Sequence, residues 1–143
     1  MIEIAATSLL ITGLLYLAVN TDSDQKRLRS LLLNGQALAE WRIVVPMSWA
    51  NRRVGLLNTV SMPEHVGLLI GTSSVHTKGM LCSIDLIGLD KDGNVTHIHQ
   101  SAAPDSKPIK MSKKTKQILE LPVGTVQKLA VKLNDSVTFG DLA

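Results

Sequence analysis

Hydrophobic residues along this chain form one long run and then a series of short ones whose period changes from helical to alternating. From Ile4 to Val19 no residue is charged, and Leu, Ile and Ala dominate. At 1.5 Å per residue, a helix over Ile2 to Val19 reaches roughly 27 Å, about one hydrocarbon core. A membrane segment over residues 1–20 is therefore expected, against the plainer alternatives of a buried or an interfacial helix. A cleaved export signal wants a basic start and small residues at its cleavage site. Here the run opens with Glu3 and closes Tyr16-Leu17-Ala18-Val19-Asn20, which favours an uncleaved single-pass anchor. Lys26, Arg27 and Arg29 follow it, and by the positive-inside rule they place the rest of the chain in the cytoplasm.

Thr21-Asp22-Ser23-Asp24 offers helix-capping side chains. Behind it Leu28, Leu31, Leu32, Leu38 and Trp41 fall near helical spacing, interrupted by Asn34-Gly35. The spacing predicts a short helix from about Asp24 to Leu33, resuming towards Glu40, so that residues 21–40 form a helical linker.

From Trp41 the period becomes two. Trp41, Ile43 and Val45 alternate with Arg42 and Val44 in a half-buried strand that Pro46 closes. Val66 to Ile70 predicts a short strand and Met80 to Leu89 a longer one. In the longer strand Leu81, Ile87 and Leu89 fall on one face, and Met80, Cys82, Ile84 and Leu86 on the other. Asp90-Lys91-Asp92-Gly93 has hairpin-turn chemistry, which makes Val95 to His99 the partner strand. Ile118 to Leu121 and Ser136 to Phe139 predict further strands, separated by a short helix starting near Thr125. The expected fold class is α+β, mainly β: a small sheet or open barrel with short helices over residues 41–143, preceded by an N-terminal hydrophobic helix.

Composition narrows the function. Trp41, Trp49, Tyr16 and Phe139 are the only aromatics of Phe, Trp and Tyr type, too few for a surface that stacks single-stranded nucleic acid. The net charge of +3 is modest, so nucleic acid is not an expected partner. The single cysteine, Cys82, excludes an internal disulfide and a multi-cysteine metal site.

Candidate chemistry is sparse. His97 and His99 lie two apart on one predicted strand face, but no third ligand stands at a metal-site spacing, so surface histidines are expected and no metal. Asp90, Asp92 and Asn94 resemble the start of a calcium loop, yet Gly93 comes too early and the closing glutamate is missing; a hairpin turn accounts for them. Lys107, Lys110, Lys113, Lys114 and Lys116 form either a solvated loop or a contact for phosphate headgroups or an acidic partner. No Gly-x-Ser-x-Gly elbow or phosphate-binding loop is present, and Cys82 sits in a predicted strand interior. An enzyme is therefore not the expected reading, and no cofactor is implied.

Three segments bring a family into view. Arg52-Arg53-Val54-Gly55-Leu56-Leu57 with Ser61-Met62-Pro63-Glu64-His65-Val66-Gly67-Leu68-Leu69 is similar to an R-x-x-G-L-M … S-L-P-E-x-x-G-M-L-F pattern. Ile84-Asp85-Leu86-Ile87-Gly88-Leu89-Asp90-Lys91-Asp92-Gly93-Asn94-Val95 resembles L-D-x-x-F-L-D-x-D-G-x-V. Leu119-Glu120-Leu121-Pro122-Val123-Gly124-Thr125, followed by Leu129 and Asn134-Asp135, resembles L-E-L-x-x-G-T … L … G-D. In order and spacing these resemble the domain of unknown function 192 family, over about Trp41 to Phe139. Gly124-Thr125 suits a chain turn with Thr125 capping the short helix, and Asn134, where the family has Gly, suits left-handed φ. Where the family reads W-M-K-N-T-x-x-P-L-D, this chain has His76-Thr77-Lys78-Gly79-Met80-Leu81-Cys82-Ser83-Ile84-Asp85, so only Lys78 and Asp85 match among the signature polar residues.

The resemblance implies an exported or envelope-associated protein, and so pulls the domain to the outer side of the inner membrane, periplasmic or extracellular. The first functional expectation is a membrane-tethered, non-enzymatic binding or accessory module of the bacterial cell envelope, with a protein partner there. The alternative is a small-molecule-binding domain or enzyme whose polar site gathers Arg52, Lys78 and Asp85, the charged positions shared with the family.

Overall fold

The computed structural model describes residues 28–45 and 61–142. Along these the elements run β1 (Leu28–Leu33), β2 (Gln36–Val44), β3 (Val66–Ile70), β4 (Ser74–Val75), β5 (Ile84–Leu89), β6 (Val95–Ala102), β7 (Ile109–Lys110), β8 (Gln117–Pro122), α1 (Thr125–Leu129) and β9 (Val137–Asp141). Seven strands form one sheet in the order β6-β5-β8-β3-β2-β1-β9, and β4 pairs with β7 in a separate two-stranded ribbon. Every adjacent pair is antiparallel except β2 and β3. The two outermost strands are drawn together just before they begin, by an antiparallel bridge between Asn94 and Ser136. The sheet thus curls towards a barrel that is mainly β, with one short helix among the described residues, as the alternation predicts for the domain.

Curling gives the sheet an inside and an outside, and both are apolar. Leu31, Trp41, Ile43, Ile87, Leu89, Leu119, Leu121 and Val137 pack inside, closed by Val126 and Val131 at and beyond α1. Val44, Leu68, Ile84, Leu86, Ala102 and Ile118 pack outside, beneath Val75 of β4 and Ile109 of β7. This two-sided burial explains why β5 is buried at all six positions. A strand covered on both faces has no reason to alternate with polar residues.

The same fact overturns the helix expected over Asp24 to Leu33 and on towards Glu40. Its described part, from Leu28, is a hairpin of β1 and β2. Leu28 belongs to the outer cluster and Leu31 to the inner one, so their three-residue spacing marks two sheet faces rather than one helix face. Asn34 and Gly35, read as an interruption, are the hairpin turn itself, with φ of 51° and 82°. The Asn34 Oδ1 also accepts the Ser136 N–H at 2.8 Å, which fastens the turn to the chain entering β9, the neighbour of β1. Replacing Asn34 by Ala forfeits this bond and the polar side chain that makes left-handed φ tolerable there. Urea unfolding is expected to show a loss of about 1 kcal/mol, and no loss would make the bond incidental.

Two smaller expectations also change. The strand predicted from Met80 begins at Ile84, and Leu81, expected on the face of Ile87 and Leu89, is 57% exposed. Val66–Ile70, the hairpin at Asp90–Gly93, the start of α1 and left-handed φ at Asn134 all fall where the sequence placed them. The membrane segment expected over residues 1–20 lies outside the described residues, and among those described no helix is long and apolar enough to cross a membrane.

Candidate functional site

One end of the barrel is shaped by an irregularity in β2. Leu31 faces Leu38 and Arg29 faces Ile43, so Ser30 of β1 stands opposite the whole stretch Ala39–Arg42. A bulge of this kind re-aims side chains at a sheet margin. Arg42 secures it: its Nη1 donates to the carbonyls of Ala39 and Trp41, both at 2.9 Å, while its backbone N–H donates to the His65 carbonyl at 2.8 Å. His65 sits at φ 63°, a conformation uncommon for a residue with a side chain, and turns its ring edge-on to Trp41 with centroids 5.5 Å apart. Its Nε2 lies 3.9 Å from Glu40 Oε1, an exposed and weak pairing.

The bulge forms one wall of a cleft of about 500 Å³. Trp41, Met62 and Cys82 supply apolar surface, and Pro122, Val123 and Leu129 close it from the β8–α1 side. Glu40, Glu64, His65 and Lys128 stand around it.

A buried carboxylate holds that β8–α1 side in place. Asp85 of β5 is fully buried. Its Oδ2 accepts the N–H groups of Gly124 at 3.1 Å and Val126 at 2.9 Å, and its Oδ1 accepts that of Ser101 at 3.0 Å. Asp85 therefore does from a distant strand what an N-cap side chain does locally. Thr125, expected to cap α1, instead donates its hydroxyl to the Pro122 carbonyl at 2.6 Å, and no side chain at the N-cap position bonds the helix.

A second buried acid lies behind the cleft. Glu120 of β8 pairs in register with Leu68 and Leu86 and is 5% exposed. Its Oε2 has no hydrogen-bond partner among the described residues, and burial pushes the carboxyl up to about 7. Pro122, two positions on and so on the same strand face, reaches the cleft wall. The Cys82 thiol is pushed up by burial first and by the Glu120 charge second, against a backbone hydrogen bond from Met62. A thiol held in its protonated form is a poor nucleophile.

The sequence-derived sites fare unevenly against this geometry. Asp85 is occupied as a cap. Lys78 is exposed in the turn before Met80, and no ion pair joins it to Asp85 among the described residues. Arg52 lies outside those residues. Lys107, Lys110, Lys113, Lys114 and Lys116 are all exposed along the segment from β6 to β8, anchored where Ile109 and Met111 pack on the outer cluster. His97 and His99 stand half-buried on the edge strand β6, opposite Gly88 and Leu86. No group of three potential metal ligands occurs among the described residues. At the hairpin, backbone hydrogen bonds led by that from Asn94 hold the Asp90 carboxyl below its usual range, so the turn itself uses this acid.

Sequence reasoning missed Glu120 and the cleft. The available signal was an ionisable residue inside an apolar strand, Ile118-Leu119-Glu120-Leu121, just as Asp85 lies inside Ile84-Asp85-Leu86-Ile87.

No curated relative matches the chain. Two crystal structures share the fold. One is a protein from Sinorhizobium meliloti 1021, provisionally described as a transcription regulator: it is 23% identical, with a TM-score of 0.68 over 78% of this chain and 93% of that one. The other, a protein of unknown function from Novosphingobium aromaticivorans DSM 12444, is 19% identical, with a TM-score of 0.68 over 78% of this chain and 84% of that one. At such identities the likeness is one of fold alone. The sequence profile of the domain of unknown function 192, described as "Uncharacterized ACR", matches residues 31–139. With the hairpin at Asn34-Gly35 now inside the domain, and the Leu-Glu-Leu strand and its Gly-Thr turn at the cleft, the chain belongs to the domain of unknown function 192 family.

Proposed function

We propose that this protein is a membrane-tethered, non-enzymatic binding module of the bacterial cell envelope, and that its binding surface is the cleft between the β2 bulge and α1. The cleft carries the reading. Its volume of about 500 Å³ and its mix of apolar wall and few charged groups suit a small molecule or one side chain of a partner. The one thiol beside it is protonated rather than activated, which favours binding over nucleophilic chemistry. The tether is supported by the uncharged run Ile4–Val19, and the outer side of the inner membrane by the resemblance of the chain to exported proteins. The five exposed lysines would sit comfortably against anionic headgroups.

The test is protease accessibility of a C-terminal tag in intact spheroplasts. Digestion is expected. Protection in intact cells, with digestion restored on lysis, would overturn the envelope assignment and make Lys26, Arg27 and Arg29 the residues that set orientation.

A further inference from the structure

The protein as a whole carries a net charge of +3, yet two carboxylates line the cleft beside one lysine and one histidine, and a third carboxyl is buried nearby. Glu40 and Glu64 stand at its mouth with Lys128 and His65, and Glu120 lies behind its wall. The Glu120 position is the unusual one. It is a buried carboxyl in an apolar cluster of Leu68, Ile84, Leu86 and Ile118, with one oxygen unpartnered among the described residues. Buried polar atoms are nearly always satisfied, so an orphaned oxygen next to a cleft calls for a donor. Met62 and Cys82 line the cleft and also pack on the cluster that surrounds Glu120, and Cys82 is close enough to feel the Glu120 charge. A methionine side chain is unbranched and readily displaced, and a cysteine is small.

We propose that the cleft takes a small primary ammonium on an apolar stem, the stem lying against Trp41 and Met62 and the ammonium passing Cys82 to reach the Glu120 carboxylate. An ammonium brings three donors and a compensating charge, which is what a desolvated carboxylate lacks. Trp41 adds an aromatic surface, and Glu40 and Glu64 raise the local concentration of cations at the entrance. The inference rests on the reading of the cleft as the binding surface and names the chemistry of its ligand.

The experiment uses the full chain in lipid nanodiscs with three probes of equal length: butylammonium, butanol and butyrate. Binding is followed by the indole N–H resonance of Trp41, assigned through Trp41→Phe. At pH 8 butylammonium is expected to shift this resonance saturably, at least tenfold more tightly than butanol or butyrate. Because Glu120 takes up a proton at about 7, affinity should fall about tenfold per pH unit below that. Glu40, Glu64, His65 and Lys128 also stand at the cleft, so Glu120→Gln is the control. It should bind butylammonium at least tenfold more weakly and lose the pH dependence attached to Glu120. Equal binding by Glu120→Gln would overturn the proposal. Saturable shifts of Trp41 by butanol or butyrate as strong as those by butylammonium would also overturn it, while leaving the cleft as a binding surface. If no probe moves Trp41, the cleft falls as a small-molecule site and the ammonium with it.

Discussion

Glu120→Gln is expected to make the folded domain more stable at pH 8, and to leave it nearly unchanged at pH 4. The reason is the sign of the linkage. In the unfolded chain this carboxyl loses its proton near its ordinary value of 4.5; in the folded protein burial holds the proton until about 7. Stability contributed by this group is therefore fully present below about 4.5 and declines as pH rises towards 7. Above that the loss is complete and levels off. A difference of this size corresponds to a loss on the order of 3 kcal/mol at pH 8. An amide of the same shape cannot ionise, so the variant keeps what the wild type loses. Pulse proteolysis in urea at pH 4, 6 and 8 measures this on the intact chain. Parallel pH profiles for the two proteins would mean that Glu120 is not the group responsible.

The opposite result is expected at Asp85. Replacement by Ala leaves the N–H groups of Gly124, Val126 and Ser101 without their acceptor. Each orphaned donor costs about 1–3 kcal/mol, and a charged acceptor lies towards the upper end. A total loss of about 4 kcal/mol is expected, enough to unfold a domain of marginal stability. Asp85→Asn preserves volume but turns an amide N–H₂ towards N–H donors, and should lose at least half as much. The same proteolysis assay reads both variants. A loss below about 1 kcal/mol for Asp85→Ala would show that water can take over the cap.

These two acids also mark where the sequence was legible and where it was not. Asp85 was picked out because it matches a family position, and a ligand role was inferred; in this fold its carboxylate accepts three backbone N–H groups. Glu120 sat in plain view within Leu119-Glu120-Leu121, but a strand pattern says nothing of which face is covered. The position is interior because Val75 of β4, Ile109 of β7, Met62 and Met80 pack in and against the outer cluster. The segments β3, β8 and the hairpin at Asp90–Gly93 were readable because short apolar runs ended in Gly, Pro or Asp. The first hairpin was not, because leucines serving two faces imitate one helical face and Gln36-Ala37-Leu38-Ala39-Glu40 is composed of helix formers. There the chain's pairing with β9, a hundred residues away, outweighs local preference. The cleft depends on the bulge at Ala39–Arg42 and on His65 brought beside it, neither of which has a local sequence period.

The pairing of β1 with β9 carries a kinetic consequence. Arg29 and Asp141, partners at the end of that ladder, are separated by 112 positions. Neither neighbour of β1 alone completes the inner core, since Leu31 packs among residues contributed by β5, β8 and β9. During synthesis β1 emerges early and must wait for almost the whole domain before its second partner leaves the ribosome. Folding should therefore be a late, slow event governed by loop closure, in the millisecond-to-second range typical of strand-rich topologies. A chain that stays open for so long remains threadable, and its apolar strands stay exposed until the last one arrives.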